Sequence, residues 1–115
     1  MKTVRALSLK EPWASMMLEG KKKIETRVWR TKYRGNIFLC CSKKPQSALS
    51  GKAFAIAEIV DCRKMRKEDE KDACCKVYPR AQSWILQGVT PIKPFDVQGR
   101  LGLFELSSPQ EVKHG

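Results

Sequence analysis

Short apolar stretches, most of them alternating with polar residues, recur along the whole chain. A period of two residues is typical of a β-strand with one buried face, whereas the continuous run of small and β-branched residues at 53–61 predicts a strand buried on much of both faces. Pro91 and Pro94 are expected to break any regular element. The pattern predicts six short strands, at residues 6–9, 23–29, 36–41, 53–61, 83–86 and 101–106.

One helix is predicted between the first two strands. Pro12 can begin it, because the first helical residue needs no N–H donor, and Gly20 can end it. The residues spaced as one helical face are Trp13, Met16, Met17 and Gly20. Residues 63–76 are densely charged and are expected to form a solvated helix or a mobile loop, since few of them could reach a core. These elements predict a mostly β (α+β) fold, a small barrel or half-barrel with helical insertions.

The 115 residues have the length of one ordinary domain, and 42 % of them are apolar, which suffices for one core. We expect a single domain over residues 1–106, followed by a flexible tail over residues 107–115. No apolar run is long enough for a transmembrane helix, and the N-terminal residues lack the apolar stretch of a secretion signal. A soluble, cytoplasmic monomer without a membrane partner is therefore expected.

The charge of the chain is strongly positive. It carries 23 Lys and Arg residues against 12 Asp and Glu residues, a formal net charge of +11 at pH 7. Residues 1–35 hold ten of the basic and three of the acidic residues, so +7 of the excess lies in the first third. Such clustering predicts a basic face, which attracts polyanions whatever their sequence. Nucleic-acid binding and simple solubility both explain the charge at this point.

Cysteine and histidine usage limits the possible chemistry. The five cysteines are odd in number and include two adjacent pairs: Cys40, Cys41, Cys62, Cys74 and Cys75. None of their spacings suits a zinc site, so reduced thiols that fill core or surface positions are expected. The one histidine, His114, lies in the polar C-terminal tail. Catalysis by a histidine base or a Cys–His pair is excluded, and no cofactor or metal is expected.

The polar face of the strand at residues 23–29 is the clearest indication of a site. Ile24, Thr26 and Val28 point one way, and the residues that share the opposite face are Lys23, Glu25, Arg27 and Trp29. An arginine that contacts a phosphate or base edge, beside a tryptophan that stacks on a base, suits a wet cleft. Lys22 could reach the mouth of that cleft. The alternative is a solvated strand face on which Glu25 and Arg27 form a weak surface pair.

The other aromatic residues allow two interpretations. Trp13 could pack in the core, or it could line a pocket rim at the helix start, where unpaired N–H groups attract anions. For Tyr33 and Trp84 the sequence fixes no position and favours a structural role.

Several segments, in this order, resemble the ASCH family. They read ALSL at residues 6–9, PWA at 12–14, GKKKIETR at 20–27 and GRLGLF at 99–104. The family signature, G-x-K-x-x-E-x-R, is matched by Gly20, Lys22, Glu25 and Arg27. The continuation WRTKYRG at residues 29–35 resembles a coactivator-like branch of the family, as do KKP at 43–45, the strand end at 61–62 and WIL at 84–86. The resemblance covers residues 4–106.

This resemblance implies a PUA-like small β-barrel of about six strands with one or two flanking helices. It also implies a cleft between the first helix and the barrel, where Lys22, Glu25 and Arg27 would line an RNA-binding or catalytic site. A single pocket suits a flipped-out or terminal nucleotide of RNA or another single strand. The candidate nucleic-acid-binding residues are Pro12, Trp13, Lys21, Lys22, Lys23, Glu25, Arg27, Trp29, Tyr33 and Arg34. Further phosphate contacts are expected from Arg30, Lys32, Lys43 and Lys44.

Two other functions stay open. A hydrolase acting on RNA or on a modified nucleoside would use Lys22 to stabilise an oxyanion and Glu25 as general base. Some ASCH relatives are amidohydrolases that act on acetylated cytidine, and they resemble a version with a nucleophilic Thr where this chain has Glu25, a departure that counts against deacetylation. The charged residues 63–76 could instead dock a partner protein, on the ground of charge alone.

Overall fold

The computed structural model describes residues 3–100 and 102–107. In chain order the elements are β1 (Thr3–Leu9), α1 (Trp13–Leu18), β2 (Ile24–Arg27), β3 (Gly35–Cys41), β4 (Lys52–Lys64), a 3-10 turn (Lys67–Asp69), α2 (Glu70–Ala73), β5 (Gln82–Asp96) and β6 (Leu103–Ser107). No helix in this part of the chain is long and apolar enough to cross a membrane. The predicted tail, residues 107–115, lies outside the described residues except for Ser107, which ends β6.

The strands of the described chain form one six-stranded sheet in the order β2-β5-β4-β3-β1-β6. β1 pairs in parallel with β3, and every other neighbouring pair is antiparallel. The two ends of the order, β2 and β6, are not paired with each other, so the sheet is not closed. The prediction of a mostly β fold with six strands and flanking helices is confirmed. Of the two predicted forms, a barrel or a half-barrel, the structure shows the open one.

The sheet curls until its two ends come close. Three strands separate β2 from β1 in the sheet order, yet Arg27 Nη2 on β2 donates a hydrogen bond of 2.7 Å to the carbonyl of Ser8 on β1. Just after β2, the Trp29 ring lies against Gly102, where an added Cβ would stand 3.6 Å from it. We call the gap between β2 on one side and β1 and β6 on the other the seam. Side chains, rather than strand pairing, bridge it.

Strand alternation distributes the core over both faces of the sheet. Leu7 and Leu9 of β1 belong to one cluster of buried residues, together with Trp84 of β5. Ala6, between them, belongs to the other cluster with Phe104 of β6. The period of two residues in the sequence therefore reflects burial on two sides.

Helix α1 covers the first of these clusters. Ala14 and Met17 are its buried residues, whereas Trp13 and Met16 are only partly buried. The predicted helix is confirmed, but the core-facing side is rotated from the one predicted. Because Trp13 stands at the first turn, this rotation leaves its ring at a rim instead of in the core.

The second strand is shorter than predicted. β2 ends at Arg27, so Val28 and Trp29 lie in the connection to β3, where Trp29 is 37 % exposed. Glu25 pairs with Trp84 of β5 in the strand register. The Trp84 indole N–H donates to the carbonyl of Trp29 at 3.2 Å, which turns the chain away from the sheet at this point.

Pro91 and Pro94 do not end a regular element, and that prediction was wrong. β5 continues through both of them to Asp96 and pairs with β4 along its length, with register shifts. β2 accompanies β5 only from Gln82 to Ile85, so the later half of β5 has a neighbour on one side alone. A proline is tolerated on such an edge, where its missing N–H would otherwise face no partner strand.

Residues 63–76 also differ from the prediction, because they reach a core. Met65 and Ala73 are buried in a third cluster with Ile24 of β2 and Ala81. β4 extends to Lys64, and α2 follows the 3-10 turn directly. Most of the charges lie on the outside, whereas Asp69 is buried, and the apolar residues between them pack against Ile24 of β2.

Asp69 fixes this segment to the sheet. Its carboxylate accepts two hydrogen bonds from Arg63, at 2.7 and 2.9 Å, and one of 2.9 Å from the Ser83 hydroxyl. The backbone N–H of Arg66 donates a fourth, also of 2.9 Å. The hydrogen bonds from Arg63 are the main reason why the pKa of Asp69 lies well below its ordinary value, although burial opposes the shift.

Candidate nucleic-acid interface

A cavity of about 640 Å³ opens at the seam. Five parts of the chain contribute to its walls. The charged and aromatic side chains among them are Lys10, Trp13, Glu25, Arg27, Lys43 and Arg100. Glu25 and Cys41 are buried and mark its deep end, whereas Lys10, Lys43 and Arg100 are exposed at its mouth. The cavity exists because the sheet does not close.

Lys22, Glu25 and Arg27 form a row of alternating charges. Lys22 Nζ lies 3.6 Å from Glu25 Oε1, and Arg27 Nε donates a hydrogen bond of 2.8 Å to Glu25 Oε2. The three side chains are 3 %, 9 % and 22 % exposed. A buried carboxylate is tolerated when nearby cations compensate its charge, and here two do so. The row therefore keeps one net positive charge.

Lys22 lies deeper than the predicted cleft mouth. Its ammonium donates a hydrogen bond of 2.6 Å to the Ala73 carbonyl at the end of α2 and stands 5.0 Å from the centre of the Trp13 ring. Burial of a lysine is costly without such partners, so the carbonyl, the Glu25 carboxylate and the indole face together make this position possible. Lys22 therefore contacts Glu25 and Trp13 but does not itself line the cavity.

Trp29 and Tyr33 do not join Trp13 in the cavity. The Trp29 ring packs edge-on against Trp84, with ring centroids 4.7 Å apart. The Tyr33 hydroxyl donates to the Asn36 carbonyl at the start of β3, and Arg5 stands 4.8 Å from the Tyr33 ring centre. Cys41, the β3 residue that lines the cavity, lies at the other end of that strand, five residues from Asn36 or about 16 Å at 3.3 Å per residue.

The remaining predicted residues are spread around this region. Lys21 pairs with Glu19 at 3.5 Å, Arg30 Nε donates to Gln82 at 2.6 Å, and Arg34 lies 3.5 Å from Asp61. Of the predicted set, the cavity of the described chain brings together Trp13, Glu25, Arg27 and Lys43. Exposed positions outside the lining are occupied by Pro12, Lys21, Lys23, Arg30, Lys32, Arg34 and Lys44.

Sequence reasoning missed the lining residues that come from connections. They include Lys10, Ser42, Gln98 and Arg100, and Ser8 near the end of β1 was missed as well. Ser8 Oγ and Ser42 Oγ lie 3.4 Å apart, which joins the end of β1 to the end of β3. The one available signal was the arginine within the glycine-rich run at residues 99–102, because such a run lets the backbone pass close to a site.

The cavity offers cations and hydroxyls but no thiolate. Burial raises the pKa of Cys41, against a hydrogen bond with Ser47, and burial raises the pKa of the neighbouring Cys40 to about 12. Both thiols therefore stay protonated at neutral pH. Across residues 3–100 and 102–107, no group of three or more His, Cys, Asp or Glu side chains is arranged to hold a metal ion.

A curled, open six-stranded sheet with a cavity beside its first helix is the architecture shared with solved ASCH structures, a PUA-like fold. The ASCH domain family matches residues 7–96, so the chain belongs to the ASCH family.

Solved structures and curated proteins agree with this assignment. The crystal structure of ASCH from Zymomonas mobilis matches with a TM-score of 0.69 and 15 % identity, over 90 % of this chain and 87 % of that one. A single-substitution variant of it matches with a TM-score of 0.68 and 15 % identity, over 90 % and 89 %. At this identity the likeness shows the fold alone.

Human and mouse activating signal cointegrator 1 are each 39 % identical to this chain over 41 residues. The matched stretch is 36 % of this chain but only 7 % of those proteins. The resemblance to activating signal cointegrator 1 expected from the sequence is thus supported over part of the chain.

Proposed function

We propose that this domain binds single-stranded RNA and holds one unpaired nucleotide in the seam cavity. The observation that carries the proposal is the convergence of the Trp13 ring, the Glu25–Arg27 pair and the exposed cations on one cavity. Its volume, about 640 Å³, lies within the usual range of small-molecule pockets, about 300–1,000 Å³, and exceeds what one base requires. The general association of PUA-like folds with RNA supports the same function.

Each group has a distinct role in this proposal. The Trp13 ring provides a plane on which a base stacks, and stacking suits any base. Glu25, flanked by two cations, accepts hydrogen bonds and so recognises an amino group, while Arg27 donates to a base edge or phosphate. Lys10, Lys43 and Arg100 at the mouth neutralise the backbone phosphates.

A salt titration tests the proposal directly. The affinity of the domain for a single-stranded RNA of about ten nucleotides is measured by fluorescence anisotropy between about 50 and 200 mM salt. Logarithmic affinity is expected to fall linearly with the logarithm of salt concentration, by about 0.7 per phosphate neutralised. Absence of binding at the lowest salt would overturn the proposal, and tighter binding of single-stranded DNA would replace RNA as the ligand. Equal binding of the two would overturn the choice of RNA over DNA.

Matched lysine and arginine variants locate the interface. Lys43→Ala and Arg100→Ala are expected to weaken RNA binding and lower the salt slope by about one phosphate each. Lys67→Ala removes the same charge from the exposed 3-10 turn, far along the chain from the cavity walls, and is expected to have little effect. Equal losses in all three variants would mean that the charge acts without a defined site.

The hydrolase alternative has less support from the geometry. The Lys22 ammonium already contacts the Ala73 carbonyl and the Glu25 carboxylate and is 3 % exposed, so it has no open path to an oxyanion in the cavity. Product formation from N4-acetylcytidine and from RNA decides the question. Turnover by the wild type that is lost in Glu25→Gln would establish the enzyme; background rates in both would remove it.

A further inference from the structure

The mouth of the seam cavity concentrates positive charge from three separate connections. Lys10 follows β1, Lys43 follows β3 and Arg100 precedes β6, and all three side chains are exposed. Within the described chain none of them lies within 4 Å of a carboxylate, although seven such pairs form between other residues. Their charges are therefore available to a ligand from three directions.

The interior of the cavity does not offset this charge. In the described chain Glu25 is the one carboxylate that lines the cavity, and Lys22 and Arg27 already compensate it. The Ser8 and Ser42 hydroxyls, 3.4 Å apart, add neutral donors. The cavity as a whole is rich in donors and poor in acceptors, a combination that fits a phosphate with more than one negative charge.

The depth of the cavity determines where a nucleotide's phosphate would lie. Glu25 and Cys41 are buried at the inner end, so a base stacked on Trp13 points inward and its sugar and phosphate remain at the mouth. An internal nucleotide must send two strands of backbone out past the same three cations. A terminal nucleotide sends out one, which leaves room for its free phosphate among the cations.

We propose that the cavity selects the phosphorylated end of a single strand, a terminal nucleotide that carries a phosphomonoester, over internal nucleotides. This inference rests on the proposed RNA binding and adds to it the form of RNA that is preferred. A phosphomonoester carries about −1.5 to −2 charges at neutral pH, whereas an internal phosphodiester carries one. The additional charge interacts with Lys10, Lys43 and Arg100 together, so a preference of about tenfold is expected.

The test compares four forms of one RNA sequence: 5′-phosphorylated, 3′-phosphorylated, with hydroxyls at both ends, and circular. One of the phosphorylated forms is expected to bind about tenfold tighter than the hydroxyl form, and the circle is expected to bind most weakly. The two phosphorylated forms show which end is recognised. Equal affinity for all four forms would overturn this inference but leave RNA binding intact, whereas no binding of any form would overturn both.

Variants decide whether the mouth is responsible for the preference. The double variant Lys43→Ala/Arg100→Ala is expected to reduce the ratio of phosphorylated to hydroxyl affinity to about twofold or less, and Lys67→Ala is expected to preserve it. If the double variant keeps the wild-type ratio of phosphorylated to hydroxyl affinity, or if Lys67→Ala lowers that ratio as much as the double variant does, the preference comes from general charge. Either result would overturn the assignment to the cavity mouth. Far-ultraviolet circular dichroism of each variant confirms that the fold is kept.

Discussion

Lys22 and Ala73 lie 51 positions apart in the chain and are joined by a hydrogen bond of 2.6 Å from the lysine ammonium to the backbone carbonyl. Because Lys22 also contacts Glu25, this bond connects α2, which belongs to the charged segment at 63–76, to a residue that lines the seam cavity. The segment once expected to be a solvated loop thus supplies an acceptor that keeps Lys22 beneath Glu25.

Replacing this lysine should destabilise the fold. Lys22→Met keeps the length of the side chain but leaves the buried Glu25 carboxylate with one cation and the Ala73 carbonyl without its donor. We expect the free energy of unfolding in urea to fall by about 2–4 kcal/mol. Lys21→Met, at the exposed neighbouring position, should change it by less than about 0.5 kcal/mol. If Lys22→Met changes the free energy of unfolding only slightly, the contacts of Lys22 with Glu25 and Ala73 do not contribute to stability.

The carboxylate of Asp69 should make stability fall in acid. Because its pKa is lowered in the folded protein, chiefly by Arg63, its contribution is complete above the ordinary aspartate value of about 3.9 and is lost as pH falls below it. Asp69→Asn should lower the free energy of unfolding by about 2–4 kcal/mol near neutral pH, and the difference from wild type should shrink below about pH 4. A difference that is constant with pH would contradict this assignment; Glu68→Gln, exposed on the same turn, is the control.

Two aromatic residues should differ in their effect on RNA binding. Trp13→Ala should weaken affinity by about 1–3 kcal/mol, the usual range for loss of one stacked base. Tyr33→Ala removes a ring at the far end of β3 and should leave affinity within about 0.5 kcal/mol. Anisotropy titrations of both variants, with unfolding curves to confirm folding, make the comparison. Equal losses would place RNA outside the cavity.

The five thiols should react in two groups. Cys40, Cys41 and Cys62 are buried, and burial raises the pKa of the first two, whereas Cys74 and Cys75 are partly exposed. Iodoacetamide should therefore alkylate the second pair first, because the thiolate is the reactive form and must be accessible. Mass spectrometry of peptides after brief native alkylation measures this order. Early labelling of Cys41 would mean that the inner end of the cavity is open to solvent.

The sequence predicted the strands and the first helix better than it predicted the tertiary contacts around them. Alternation, the continuous run at 53–61 and the Pro12–Gly20 boundaries placed all six strands and α1, β5 only over its first residues, because these signals are local. The family signature placed Glu25 and Arg27 together. The path of β5 through Pro91 could not be predicted, because it depends on the pairing with β2 reaching no further along β5 than Ile85, which is a tertiary contact. Likewise, Lys10 and Arg100 meet at the cavity only because the sheet curls, and no local pattern encodes that curvature.

Because the seam is open, the residues that stabilise the domain are largely distinct from those that line its cavity. Backbone pairing and three apolar clusters hold the sheet together, and in the described residues side-chain contacts such as that of Arg27 with the Ser8 carbonyl bridge the gap between β2 and the strands β1 and β6. The walls of that gap are built mainly from connections, which tolerate exchange and insertion more readily than strands do. Relatives with this framework can therefore acquire new binding preferences through changes near residues 42–51 and 98–102, while their scaffold persists unaltered.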